Sequence, residues 1–244
     1  IGLNFHYLPY GARFAFLQQL QSFASNKKFD QSTKIQATYQ QVKSNKYVKA
    51  SIKKYLYSQV RSNFLRIDME SSDNTNDTFE IYKSLKNKYS GVGVVLQSYL
   101  KRSINDIENL AGPEFNARIC KGIYREDSEI AYKEKDMINN NFLEMAKLML
   151  QKNSYACFAT HDQQLIDSLV ELVEKMKIET TKFEFQALYG VPMNGKLEKL
   201  ISKGYKVRIY VPFGPDWYEY SLRRLKENPN IAGYVIKNLF LRNK

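Results

Sequence analysis

The sequence predicts an α/β protein in which parallel strands alternate with helices and curl into a barrel. Short runs rich in apolar and β-branched residues recur from about residue 50 onward, and longer segments with helical spacing separate them. No two runs are joined as a hairpin, so each strand should run parallel to the one before it. This succession favours a (β/α) barrel, and an open doubly wound sheet is the structural alternative.

The predicted strands are the apolar runs bounded by polar or turn-forming residues. They are Ala50–Lys54, Phe64–Met69, Val92–Gln97, Arg118–Ile123, Ala156–Thr160, Phe183–Leu188 and Val207–Val211. Two of the intervening segments have a clear helical period, because apolar residues recur at every third or fourth position. These predicted helices are Asn139–Gln151 and Leu165–Met176.

The N-terminal part of the chain does not continue this alternation. Arg13–Phe23 and Thr33–Val42 carry helical patterns without a clear strand. We therefore expect a helical segment over residues 1–49 and a barrel domain over residues 50–244, with the start of the barrel incomplete or hard to place. The interval from Lys54 to Phe64 is also short for a parallel crossover, which usually needs about 10 to 12 residues. It indicates either a compacted barrel or missing residues, and we favour missing residues.

Composition excludes several classes of protein. The chain has 244 residues and a formal net charge of +12, and its only cysteines are Cys120 and Cys157. Two cysteines cannot form a disulfide framework. No apolar run is as long as the roughly 18 residues that a membrane-spanning helix needs. The first residues lack the layout of a signal peptide, so a cytoplasmic location is expected. The positive charge suits a nucleic-acid-binding module, but the lysines are spread along the chain and form no single cluster.

Polar residues lie at or near the carboxyl end of each predicted strand after residue 60. In a β/α barrel these ends and the following loops supply the reactive groups. No dinucleotide-binding or P-loop glycine motif is present. With only His6 and His161 available, neither a zinc site nor a Ser-His-Asp triad is favoured, and we expect no metal.

Seven ordered segments together resemble the proline dehydrogenase family, in the form of its small monofunctional bacterial members. The segments are Phe64–Glu70, Val94–Arg102, Lys121–Glu126, Phe158–Asp162, Phe183–Gly190, Tyr210–Gly214 and Trp217–Glu227. The resemblance implies a distorted (β/α)8 barrel of the TIM type, with FAD above the strand ends. It also implies oxidation of L-proline to Δ1-pyrroline-5-carboxylate, the first step of proline catabolism, by hydride transfer to flavin N5. Electrons would then pass to a membrane quinone, with peripheral contact at the inner membrane.

The resemblance also assigns roles to individual residues. Arg223 and Arg224 would bind the proline carboxylate, for which a guanidinium offers a matching pair of donors, and Lys53 would assist them. Asp68 would orient Lys53 or Arg224, and Arg125 would lie beside flavin N5 and stabilise the anionic reduced flavin. The apolar ring would lie against Tyr210 and Tyr220. The expected FAD contacts are Met69, Gln97, Ser128, Glu129, Ile130, Thr160, His161, Gln186 and Glu227. A flavin barrel acting on another cyclic amino acid, such as hydroxyproline, remains an alternative.

Overall fold

The computed structural model describes residues 35–37, 64–87, 89–189 and 191–210, which form seven parallel strands in one sheet. Neighbouring strands in the sheet are also neighbours in the chain. A doubly wound sheet would instead reverse its strand order at a switch point, so the prediction of a barrel is confirmed. The strands are β1 Ile35–Ala37, β2 Leu65–Ile67, β3 Val92–Gln97, β4 Asn116–Cys120, β5 Tyr155–Ala159, β6 Phe183–Leu188 and β7 Val207–Tyr210.

Helices follow the strands and cover the outer surface of the sheet. They are α1 Thr75–Lys86, α2 Ser103–Leu110, α3 Lys135–Gln151, α4 Gln163–Lys175 and α5 Lys196–Ser202, and a 3-10 turn over Ser72–Asn74 precedes α1. The two helices predicted from periodicity are therefore confirmed as α3 and α4. In the described part of the chain, no helix is long and apolar enough to cross a membrane.

Two predicted elements need correction. Strand β1 lies inside the segment Thr33–Val42, so the helix expected there is wrong at Ile35–Ala37, which pair in parallel with β2. Three residues are too few to leave a period-two signal in the sequence. Strand β4 begins and ends earlier than expected, because Gly122 follows it with φ +102° and turns the chain. The predicted strand Ala50–Lys54 lies outside the described residues, and the domain boundary at residue 50 stays a prediction.

The two faces of the sheet differ in chemistry. Alternate residues of strands β2 to β6 point outward and join one apolar core with the helices, as Val94, Ile119 and Phe158 do with Phe142 and Leu169. The residues between them point inward, and many of these are polar or charged. We call this set the inner face; it includes Arg66, Gln97, Asn116, Arg118, Cys157, Glu184, Gln186 and Arg208.

Arg66 occupies the inner face near the amino end of the strands and is fully buried. Its guanidinium donates to the carbonyl oxygens of Val94 at 2.8 Å and Asn116 at 3.0 Å. Gly93 lies opposite Arg66, where a Cβ atom would come within 2.7 Å of the guanidinium and 2.3 Å of the Asn116 carbonyl oxygen. Gly93 is therefore required for the close approach of these strands.

Candidate active site

Four side chains meet at the carboxyl edge of the sheet. Arg118 on β4 donates from Nη1 to Asp68 Oδ1 at 3.1 Å and from Nε to Gln186 Oε1 at 2.8 Å. The ring of Tyr210, at the end of β7, has its centroid 5.9 Å from Arg118 Cζ. We call Asp68, Arg118, Gln186 and Tyr210 the strand-end cluster. It joins residues that are far apart in the chain because parallel strands end at the same edge.

The charged pair in this cluster is largely shielded from water. The side chain of Arg118 is 15% exposed and that of Asp68 is 24% exposed. Burial raises the pKa of Asp68, and the positive charges of Arg118 and Arg66 oppose that shift. The pair thus provides a fixed cation whose direction is set by a carboxylate on one side and an amide on the other.

A second layer of polar groups supports the cluster from below. Glu184 on β6 is fully buried and accepts two hydrogen bonds from Arg208, from Nε at 2.7 Å and from Nη2 at 2.9 Å. The Tyr155 hydroxyl donates to the same carboxylate at 3.0 Å, and Gln186 Nε2 donates to it at 2.5 Å. Burial and the adjacent Glu184 both raise the pKa of Tyr155, so its hydroxyl stays protonated and acts as the donor.

Gln97 lies at the carboxyl end of β3, between the strands that carry Asp68 and Arg118. Its side chain is buried, and within the described residues its Oε1 atom has no hydrogen-bond partner. Burying an amide oxygen without a hydrogen-bond donor costs about 1 to 3 kcal/mol of folding free energy. A ligand that supplies a donor at this position would recover part of that cost. The N–H edge of a flavin ring is a donor of this kind, and Gln97 therefore fits an FAD site.

His161, which follows β5, has a defined protonation state. Its Nε2 atom accepts a hydrogen bond from the backbone N–H of Leu188 at 2.9 Å. An acceptor nitrogen carries no proton, so the ring is neutral and its remaining proton is on Nδ1. Burial lowers the pKa of His161, which agrees with this state. The residue can donate one hydrogen bond from Nδ1 to a ligand.

Asp162 joins three parts of the carboxyl edge. Its carboxylate caps α4 by accepting from Leu165 N at 3.3 Å, and it also accepts from Lys121 Nζ at 2.7 Å and Asn139 Nδ2 at 3.3 Å. Burial alone would raise the pKa of Asp162, but these hydrogen bonds outweigh it and hold the pKa well below its usual range. The backbone N–H of Asp162 donates a hydrogen bond to Thr160 Oγ1 at 3.1 Å.

The loop after β4, residues 121–134, is fastened to the loop after β2. Glu126 accepts from Ser72 N at 2.7 Å and from Ser72 Oγ at 2.6 Å, and the Tyr124 hydroxyl donates to Glu70. Arg125 lies between these two anchors and is exposed. In the described part of the chain, no hydrogen bond joins Arg125 to the strand-end cluster.

The structure brings together some of the predicted site residues and leaves others apart. Asp68, Gln186 and Tyr210 meet in the cluster, and Met69 is buried next to Asp68. The others in the described residues lie around the same edge: Gln97, Thr160 and His161 near the strand ends, and Arg125, Ser128, Glu129 and Ile130 exposed on the loop after β4. Outside the described residues lie Lys53, Tyr220, Arg223, Arg224 and Glu227.

Sequence reasoning missed Arg118 and Glu184, which make most of the contacts in this region. The signal that could have found them is a charged residue within an apolar strand, at the same alternate position as Asn116 and Cys120 in β4, and as Gln186 in β6. A charge placed there must be buried and therefore needs a partner.

Sequentially ordered parallel strands with a charged cluster at their carboxyl edge define a β/α-barrel protein, a fold that carries its functional groups at this edge. A family model described as proline dehydrogenase matches residues 12–236. This match covers most of the sequence, and the chain belongs to the proline dehydrogenase family. The resemblance drawn from the sequence motifs is thus confirmed.

Individual relatives agree with the family match. Proline dehydrogenase 2 of Bacillus subtilis (strain 168) is 37% identical over 173 residues, which are 71% of this chain and 57% of the relative. Proline dehydrogenase of Deinococcus radiodurans is 36% identical over 178 residues, which are 72% of this chain and 57% of that protein. The chain therefore spans little more than half the length of these curated relatives.

Solved structures support the same fold. Proline utilization A (PutA) from Bdellovibrio bacteriovorus, inactivated by N-propargylglycine, aligns with a TM-score of 0.68 at 24% identity, over 88% of this chain and 27% of that one. PutA from Corynebacterium freiburgense aligns with a TM-score of 0.68 at 20% identity, over 89% of this chain and 27% of that one. At these identities the likeness concerns the fold.

Proposed function

We propose that this chain carries the catalytic site of a proline dehydrogenase, which oxidises L-proline to Δ1-pyrroline-5-carboxylate with FAD as its cofactor. The observation that carries the proposal is the strand-end cluster of Asp68, Arg118, Gln186 and Tyr210 in a chain of this family. When bound, FAD would supply the acceptor for the hydride that leaves proline.

Residues around the carboxyl edge would hold the cofactor. The unpartnered Oε1 of Gln97 would accept from a ring N–H, and Nδ1 of His161 would donate to an acceptor on the cofactor. Met69 and Gln186 would border the ring system. The remaining proposed contacts are Thr160 beside His161, Ser128, Glu129 and Ile130 on the loop after β4, and Glu227.

Arg118 is the cation best situated to act on the reacting atoms. Its side chain is only 15% exposed, its direction is fixed by Asp68, and it lies at the edge where barrel enzymes bind their substrates. A fixed positive charge in such a site stabilises negative charge that develops as the hydride is transferred. The sequence had suggested Arg125 for this role, and Arg125 stays the competing candidate, to be tested against Arg118 by matched substitutions.

Proline itself would be held by its carboxylate and its ring. Arg223 and Arg224 would bind the carboxylate with help from Lys53, and Tyr210 and Tyr220 would pack against the ring. The Arg118–Tyr210 contact supports this arrangement, because it puts an aromatic ring next to a cation. Electrons would pass on to a membrane quinone, and the net charge of +12 would favour peripheral contact with anionic lipid on the cytoplasmic side.

The test is reduction of the bound flavin by proline. The chain is reconstituted with FAD, freed of excess cofactor, and mixed with L-proline without oxygen while its visible absorption is followed. We expect bleaching by proline but little by proline amide, which lacks the carboxylate charge. Acid denaturation should then release the flavin into a filtrate, because the link is non-covalent. A chain that binds no FAD, or a flavin that proline does not bleach, would contradict the proposal.

A further inference from the structure

We propose that Glu184 and Arg208 are positioning residues: together they fix the direction of the Gln186 side-chain amide, and through it they aim Arg118. The consequence for catalysis rests on the proposed function, whereas the control of Arg118 is a property of the chain itself. Neither Glu184 nor Arg208 belongs to the strand-end cluster, and their side chains act on it only through Gln186.

Gln186 lies between two groups that leave its amide a single orientation. A carboxylate can only accept hydrogen bonds and a guanidinium can only donate them. Gln186 therefore points Nε2 at Glu184 Oε1, at 2.5 Å, and Oε1 at Arg118 Nε, at 2.8 Å. With the amide reversed, two acceptors would face each other at one end and two donors at the other.

Glu184 can hold this amide because its own position is fixed. Both carboxylate oxygens accept from Arg208, and Oε2 also accepts from the Tyr155 hydroxyl. The carboxylate is fully buried, so water does not compete for these bonds. Lys206 Nζ lies 3.5 Å from Oε2 and adds a further positive charge.

The resulting series of bonds crosses the inner face of the sheet. It runs from Arg208 on β7 through Glu184 and Gln186 on β6 to Arg118 on β4, and then to Asp68 after β2. An ion pair with only a structural role would stabilise β6 and β7 and leave the direction of Arg118 unchanged. The positioning role predicts that loss of the Glu184 charge is felt at Arg118, two strands away.

The first experiment uses the cofactor-free chain labelled with [15N]arginine. The Nε–H signal of Arg118 is identified by its loss in Arg118→Lys, and its exchange with solvent is measured. In Glu184→Gln the partner at position 184 can donate as well as accept, so the Gln186 amide can reverse. We expect Arg118 Nε–H to exchange at least about tenfold faster. Glu174→Gln is the matched control, because Glu174 also pairs with a lysine and a tyrosine, on the exposed surface.

The second experiment is a double-mutant cycle with Gln186→Ala. If Glu184 acts through Gln186, Glu184→Gln has no further effect on Arg118 exchange once Gln186→Ala is present. Equal effects in both backgrounds, or unchanged exchange in Glu184→Gln, would overturn the proposal. Arg208→Lys keeps the charge but not the paired hydrogen bonds, and it should show the same change in smaller degree. It serves as the test variant if Glu184→Gln does not fold.

With FAD and proline the same variants should separate the two proposals. Glu184→Gln should slow flavin reduction at least tenfold in the wild-type background and leave the rate of Gln186→Ala unchanged. If proline does not reduce the wild-type flavin, the proposed function fails, while the exchange measurement still decides whether Glu184 controls Arg118. If reduction occurs but the Glu184 effect is the same in both backgrounds, the positioning role fails and the proposed function stands.

Discussion

The inner face of the sheet and the loop after β4 both carry residues predicted for the site, but they hold them in opposite ways. On the inner face, Arg118 is fixed by Asp68 and Gln186, and the groups beneath it are paired in turn. On the loop, the backbone is anchored by Glu126, while the side chain of Arg125 is exposed.

This difference teaches where the chain can tolerate change. Removing one partner of a buried ion pair leaves the other charge unpaired, which is strongly destabilising. A substitution on the inner face therefore affects groups on several strands. An exposed side chain on an anchored loop is largely independent of the fold, and its removal changes only what it contacts directly. Arg118 and Arg125 lie seven positions apart in one segment, and they make the comparison testable.

The largest expected effect comes from Arg118→Met. It removes the fixed cation and leaves Asp68 without its arginine partner, so flavin reduction by proline should slow about a hundred- to a thousandfold. Arg125→Met, the matched control, should stay within about twofold, as surface substitutions usually do. Anaerobic rapid mixing of the FAD-loaded variants with proline measures both rates. A large loss in Arg125→Met with a normal rate in Arg118→Met would return the role to Arg125.

The next effect concerns the floor of the inner face. In Gly93→Ala the new methyl group would meet the Asn116 carbonyl oxygen, Arg66 and Phe64 at less than 3 Å, which should lower the free energy of unfolding by about 3 kcal/mol. Gly112→Ala is the control, since a Cβ there meets nothing within 4 Å. Its stability should change by less than about 1 kcal/mol. Urea unfolding measures both, and equal stability of the two variants would show that the inner face has room to spare.

A smaller effect is expected at Asp162, which links the loop after β4 to α4 through Lys121 and Leu165. Asp162→Asn keeps a cap for α4 but loses the charge, so the free energy of unfolding at neutral pH should fall by about 2 kcal/mol. The pKa of Asp162 is lower in the folded state than in the unfolded state. This stabilisation is therefore present at a pH above the ordinary pKa of an aspartate, and it is lost as the pH falls below about 4. Asp167→Asn, an exposed partner of Lys196, should cost almost nothing. A gap between wild type and Asp162→Asn that persists undiminished at acid pH would contradict this account.

The smallest effect is expected from His161→Gln, which distinguishes the contribution of the His161 charge to stability from that of its hydrogen bond. Burial lowers the folded-state pKa of His161, so the unfolded chain binds the proton more readily and stability is lost as the pH falls below about 6.5. His161→Gln keeps an acceptor for the Leu188 N–H but cannot titrate. Its stability should therefore fall less than that of the wild type between pH 7 and pH 5, as thermal unfolding at each pH would measure. Parallel pH profiles would mean that folding does not lower the pKa of His161.

Much of the fold could be predicted from local patterns. Strands β3 and β6 were predicted with their observed limits, because β3 is a nearly continuous apolar run and β6 begins with alternating apolar and polar residues. Strand β1 could not be predicted, since three residues give no periodicity and its pairing with β2 depends on residues far along the chain. The start of β4 was missed because Asn116 has a polar side chain that is explained only by Arg66 and Cys157.

The candidate site was predictable only where a residue lies at a strand end. Asp68, Gln97 and Gln186 stood out for that reason, and the structure brings them to one edge. Arg118 and Glu184 lie within strands, where a single charge looks like a solvated position. The role of these two charges depends on which strands become neighbours, and only the tertiary structure shows this. This is also why the sequence predicted the exposed Arg125 for a role that we propose for Arg118.

The most direct test of the central claim is a crystal structure of the chain with FAD and tetrahydrofuroic acid, which keeps the ring and carboxylate of proline without its nitrogen. We expect the flavin ring and the analogue to meet at the carboxyl edge of the sheet. The analogue should lie within about 4 Å of Tyr210 or the flavin, with Arg118 at the reacting edge of the flavin. A complex in which the ligands lie on the exposed loop beside Arg125, with the strand-end cluster covered by protein, would contradict it.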